Sequence, residues 1–186
     1  RALSISSQGN MAYVADDGLG VVFSVDLASG DRTILSGVDQ NDVSLIEVTA
    51  LDLDESQNRL IISDMANGGT RTIKVIGVDL DTGDRSIIYS WTTGTGPFLN
   101  TLYDIEVISE DQIAVIAAGD DLLSLDLTTG SRSVLANNST GHGDVIEQIL
   151  SVARDADADV VYGWSNLLQG IVALDLDSAD RVVLSK

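Results

Sequence analysis

The chain has 186 residues, 44% of them hydrophobic, and a net charge of −19. That length suits one domain or part of one, and the charge repels phosphate backbones and anionic membranes, which argues against nucleic acid as a partner. There is no cysteine, so neither disulfide nor thiolate chemistry is available, and no apolar run approaches the ~18 residues of a membrane-spanning helix.

Taken in order, the chain reads as four units of four short strands, A to D. In the first, residues 2–5 form strand A, Gln8-Gly9-Asn10 turns, and residues 11–15 form strand B. Asp16-Asp17-Gly18-Leu19-Gly20 leads into strand C at Val21, and strand D ends near Ser36. A polar connection over 37–45 reaches the second unit. There strand A covers 48–53 and strand B 59–63, followed by a long loop over 64–71 that contains Gly68-Gly69. Strands C and D occupy 72–80 and 85–89, and the connection beyond them carries Trp91 and the only proline, Pro97. In the third unit the strands fall at 102–108, 112–117, 122–127 and 132–135. Its outgoing connection, Gly141-His142-Gly143-Asp144, parallels Gly94-Thr95-Gly96-Pro97. The fourth unit places strands at 149–153, 160–163, 170–176 and 181–184. The units span about 1–36, 47–90, 101–136 and 148–186 of a single domain. No stretch carries helical periodicity, and no linker separates the units.

The strongest signal is the C–D hairpin of each unit. Val25-Asp26-Leu27-Ala28-Ser29-Gly30-Asp31-Arg32 recurs as Val78-Asp79-Leu80-Asp81-Thr82-Gly83-Asp84-Arg85. The third and fourth copies are Leu125-Asp126-Leu127-Thr128-Thr129-Gly130-Ser131-Arg132 and Leu174-Asp175-Leu176-Asp177-Ser178-Ala179-Asp180-Arg181. The repeated aspartates at 26, 79, 126 and 175 lie 53, 47 and 49 residues apart. A period near 50 points to a propeller, because ~40–50 residues make one four-stranded blade. The constant Asp–Arg offset predicts a cross-strand ion pair in each hairpin that fixes its register. Ala179 stands where the other copies have the glycine of the turn, so that hairpin must strain or turn differently.

Strand B followed by Asp is seen in Ala12-Tyr13-Val14-Ala15-Asp16 and in Leu60-Ile61-Ile62-Ser63-Asp64. Together with the Asp-x-x-Thr-Gly-Asp-Arg hairpin, these stretches resemble the repeats of the YWTD/NHL/gluconolactonase-like propeller superfamily. Ala117 and Ser165 depart from the pattern where that Asp is expected. The resemblance implies an all-β propeller of four four-stranded antiparallel blades with strand A lining the axis. An antiparallel β-sandwich is the alternative. Members of the superfamily include receptors, scaffolds and lactonases, so the resemblance implies no single chemistry.

The function expected is that of a non-enzymatic binding or scaffold module. The D–A connections and B–C loops emerge on one face, which groups Trp91, His142, Trp164, Asp64 and Arg71 as candidate binding residues, with tryptophan favoured at interaction hot spots. A metal-dependent, lactonase-like hydrolase is the alternative. It would use inward carboxylates such as Asp52, Asp104 and Glu106. Asp155, Asp157 and Asp159 form an alternating acidic run suited to calcium but without the glycine and distal glutamate of an EF-hand loop. No cofactor is required by either reading of the fold, and calcium is the ion expected if one binds. Of the 29 carboxylates, 24 are aspartates; turns explain this best, with a salty habitat or cation binding as other reasons. The protein is expected outside the cytoplasm: secreted, periplasmic or on a bacterial cell surface. A closed four-bladed monomer is favoured, with a dimer or a segment of a larger propeller as alternatives.

Overall fold

The computed structural model describes residues 1–66, 72–155 and 157–185. Within them, sixteen strands build four separate four-stranded sheets, each a meander of consecutive antiparallel strands. Blade one comprises β1 (Ala2–Ile5), β2 (Met11–Asp16), β3 (Val21–Asp26) and β4 (Arg32–Ser36). Blade two comprises β5 (Val48–Asp54), β6 (Arg59–Ala66), β7 (Thr72–Asp79) and β8 (Arg85–Tyr89). Blade three comprises β9 (Asp104–Ile108), β10 (Ile113–Ala117), β11 (Leu122–Asp126) and β12 (Arg132–Ala136). Blade four comprises β13 (Ile149–Asp155), β14 (Val160–Ser165), β15 (Gly170–Asp175) and β16 (Arg181–Ser185). A sandwich would gather these strands into two sheets, so the propeller is the fold. The only helical pieces among the described residues are single 3-10 turns at Gln40–Asp42 and Glu55–Gln57. No helix among them is long and apolar enough to cross a membrane.

Both faces of an interior blade are apolar because each is covered by a neighbour. The leading face of blade two presents Leu51, Leu60, Ile62, Ile76 and Val78 to Ala15, Val22 and Val43 of blade one and its connector. The leading face of blade three carries Ile105, Ala114, Ile116, Leu123 and Leu125 onto Ala50, Ile61, Val75 and Tyr89 of blade two. Blade four repeats the arrangement with Val152, Val161, Val172 and Leu174 against Val115, Ala117 and Leu122. Along the axis β1 packs on β5, β5 on β9 and β9 on β13. Backbone pins reinforce this line: the Val107 amide donates to Asp52 Oδ2 (2.8 Å) and the Val152 amide to Asp104 Oδ2 (3.0 Å).

The closure expected of a four-bladed monomer is not present. Three apolar clusters join blade one to two, two to three and three to four. Among the described residues, no hydrogen bond, ion pair or apolar cluster joins blade four to blade one. The four blades form an open arc.

The repeated hairpin also differs from its expectation. Val25, not Asp26, lies opposite Arg32, and Val78, Leu125 and Leu174 likewise face Arg85, Arg132 and Arg181. A one-residue slip sends Asp and Arg to opposite faces of the sheet. Each Asp instead closes its own turn. Asp126 Oδ1 accepts the amides of Thr128 (2.8 Å) and Thr129 (2.7 Å), and the Thr129 hydroxyl accepts the Ser131 amide. The other three copies repeat this, which explains why Ser or Thr stands three residues after every one of these Asp residues. These bonds hold all four carboxyls below the usual carboxylate range, the amide of that Ser or Thr being the largest cause. The fourth hairpin keeps the same turn and takes the strain: Ala179 sits at φ 60°, in the left-handed region.

Candidate functional site

The arginines freed from those pairs position the connector face. Arg85 donates to the Ser36 hydroxyl (2.9 Å) and to the carbonyls of Gly20, Gly37 and Val43. Arg132 does the same for the next connector, through the carbonyls of Thr93, Gly96 and Pro97, and its guanidinium lies 4.6 Å from the centre of the Tyr89 ring. Arg181 holds the third connector through the carbonyls of Thr140 and Asp144. In each case the arginine that opens strand D reaches back to the connector leaving the previous blade. A planar fork of five donors suits this, since several carbonyls at a loop need donors at once.

The parallel Gly-x-Gly motifs have the same origin. The Arg132 amide donates to the Thr95 carbonyl (2.8 Å) and the Arg181 amide to the His142 carbonyl (2.8 Å). The connector must therefore lie against the strand. A Cβ on Gly96 would meet the Arg132 carbonyl oxygen at 1.9 Å, and one on Gly143 would meet that of Arg181 at 1.9 Å.

Held this way, the connectors and B–C turns display apolar side chains to solvent. Trp91 is 69% exposed, and Phe98, Val38, Ile46 and Val145 on the connectors are also exposed, as are Leu19 and Leu167 in B–C turns. Among the described residues, Leu27 is the one exposed large apolar residue in the A–B and C–D turns at the opposite end. His142 lies on the third connector, with its amide and ring Nδ1 against Asp180 Oδ1 of the blade-four C–D turn at 2.9 and 3.2 Å. Asp64 lies beneath this face, fully buried. Its Oδ1 accepts the amides of Ile46 (2.8 Å) and Glu47 (2.7 Å), so it anchors a connector and touches no solvent. Trp164 is elsewhere: it lies within β14 on the trailing sheet face of blade four, paired across the strands with Ser151 and Ile171. Arg71 lies outside the described residues.

A second feature lies at the opposite end of the axis. A pocket of about 420 Å³ is lined by Ser7, Asp52, Glu55, Glu106, Glu110 and Arg154, among others. Burial, then repulsion from Asp52 and more weakly from Asp104, pushes the Glu106 carboxyl up to about 7. Asp52 and Asp104 are raised as well, burial again being the main cause. The amide and charge of Arg154 offset this only in part, because its guanidinium pairs with Glu110 and with Asp159. Asp159 is thereby tied to an arginine, and Asp155 Oδ1 accepts the Asp157 amide (3.1 Å) within the A–B turn. Among the described residues, no three His, Cys, Asp or Glu side chains are grouped to hold a metal ion.

Comparison with known proteins follows the fold. No known protein family matches the chain, and no curated protein does. Solved structures do match. One is a nidogen/laminin complex, with a TM-score of 0.71 and 14% identity, covering 97% of this chain and 60% of that one. Another is hydrazine synthase from Kuenenia stuttgartiensis, with a TM-score of 0.66 and 11% identity, covering 99% of this chain and 49% of that one. The chain is a β-propeller, as these similar structures are. It spans about half to three fifths of their length.

Proposed function

We propose that the protein is a non-catalytic binding module that presents the D–A/B–C face to a protein partner. One observation carries the reading. Apart from the sheets and Leu27, the exposed large apolar side chains cluster on the connectors and B–C turns. Exposed apolar patches on soluble proteins mark interaction sites, and tryptophan and phenylalanine are enriched at interface cores. The connectors are held by Arg85, Arg132 and Arg181, so the face is ordered before binding and loses little entropy on docking. The nidogen/laminin structure shows a similar fold within a protein complex, which is consistent with a binding role.

The test is capture of a partner from the native extract by immobilised protein, run with three proteins in parallel. Wild type and Leu27→Ala retain one and the same protein, and the Trp91→Ala/Phe98→Ala double variant loses it. Capture that survives the double variant, or that fails equally in Leu27→Ala, refutes this face as the site.

A further inference from the structure

Three of the four repeated arginines clamp the connector of the preceding blade. Arg32, the fourth, is exposed and makes no such contact. The sheet face that carries it is equally bare. Leu3, Ile5, Val14, Phe23, Val25 and Ile34 share this leading face of blade one through their cross-strand registers. They occupy the places that Leu51, Leu53, Ile62, Ile76, Val78 and Ile87 occupy in blade two. In blade two most of these are buried against blade one; in blade one Leu3 and Ile34 are each 61% exposed.

The other end of the arc has the complementary surface. The trailing face of blade four presents Tyr162, Trp164, Ile171, Ala173 and Val182. Trp164 is 40% and Val182 52% exposed. A shallow cavity of about 230 Å³ lies between Ala153, Tyr162, Trp164 and Ile171, and another of about 280 Å³ lies beside Ala173 and Val182. Within the chain, every leading face that is covered is covered by a trailing face. The one free leading face and the one free trailing face are thus partners in kind.

We propose that a second copy of this chain completes the propeller, blade four of each copy seating on blade one of the other. The contact is repeated by a two-fold axis, which closes the assembly at two copies. Eight blades result, within the range that propellers adopt. The second copy also supplies acceptors for Arg32. Ser185 pairs with Ile171 as Ser36 pairs with Val22, so its hydroxyl holds the place of the Ser36 hydroxyl that accepts from Arg85. Gln169 precedes β15 as Gly20 precedes β3, which puts its carbonyl in the place of the Gly20 carbonyl that also accepts from Arg85. This surface is distinct from the connector face, so the two proposals fail separately.

The test is sedimentation equilibrium of the 186-residue chain over a range of concentrations, with and without added salt. The expected result is a dimer of the 19.6 kDa chain that tightens as salt screens the repulsion between two acidic copies. Ile34→Asp, Val182→Asp and Arg32→Gln should each weaken it at least tenfold. Trp91→Ala should leave it unchanged. Ile34, Val182 and Arg32 are exposed in the single copy, so the variants fold, and circular dichroism verifies it. A monomer at every concentration, an open-ended series of larger species, or a dimer indifferent to Ile34→Asp and Val182→Asp each overturns the proposal.

Discussion

Replacing Glu106 by glutamine should stabilise the protein at alkaline pH and do nothing at acid pH. Glu106 sits on β9 beside Asp52 and Asp104, and its carboxyl titrates near 7 rather than near its ordinary 4.5. The folded chain therefore holds this proton more tightly than the unfolded chain. Between these values the unfolded state binds fewer protons, so stability falls as pH rises. The destabilising contribution is absent below the ordinary value and complete above the raised one. A displacement of that size has a ceiling of ~3 kcal/mol, and solvent screening of a half-buried group reduces it to about 1–2 kcal/mol. Glutamine keeps the shape and removes the charge. Urea unfolding at about pH 8 should thus show Glu106→Gln more stable than wild type by about 1–2 kcal/mol, and the two equal at about pH 4. An equal difference at both pH values would show that packing, not charge, separates the two proteins. Crowding of the axial carboxylates would then not be what raises Glu106.

Four other outcomes follow from the same contacts. Gly96→Ala must place a Cβ against the Arg132 carbonyl at φ 106°, and should cost about 2–3 kcal/mol in urea unfolding. Arg132→Gln leaves the carbonyls of Thr93, Gly96 and Pro97 short of donors and should cost about 2–4 kcal/mol, whereas Arg32→Gln should leave the stability of the dilute single copy within about 0.5 kcal/mol. Ala179→Gly relieves a left-handed alanine and should raise the melting temperature, with a gain of about 0.5–1 kcal/mol after the added chain entropy is subtracted. Thermal melts in sodium chloride should rise with ionic strength because −19 charges repel one another; a melting temperature independent of salt would refute that.

The hairpin period made the blades legible, because turn chemistry is local and repeats with the fold. The same repeat misled on the ion pairs. A six-residue offset suggests residues that face each other, but the turn spans one residue more on the Asp side, so Asp and Arg part to opposite faces. The connector carbonyls that the arginines hold lie some 35 to 65 residues away in the chain, and no pattern in the sequence marks a carbonyl as short of donors. Trp91 and His142 both lie in D–A connections, as counting strands predicts, but His142 meets Asp180 of a C–D turn, which counting strands assigns to the other face. Phe98, Val38, Ile46, Val145 and Leu167 could have been found the same way, as apolar residues within polar connections. Trp164 was misplaced because it lies one residue inside the end of β14, where a side chain belongs to the sheet face rather than to the loop. The open arc was not legible, since a leading face reads as apolar whether or not another blade covers it.

Because the chain has no cysteine, introduced cysteines report on the two free faces without background. The variant Ile34→Cys/Val182→Cys, treated with a short bismaleimide and weighed by denaturing mass spectrometry, tests most directly whether those faces meet between copies. The account predicts a covalent species of twice the chain mass. A cross-link within a single chain, showing that blade four closes on blade one, or no cross-link at all, would contradict it.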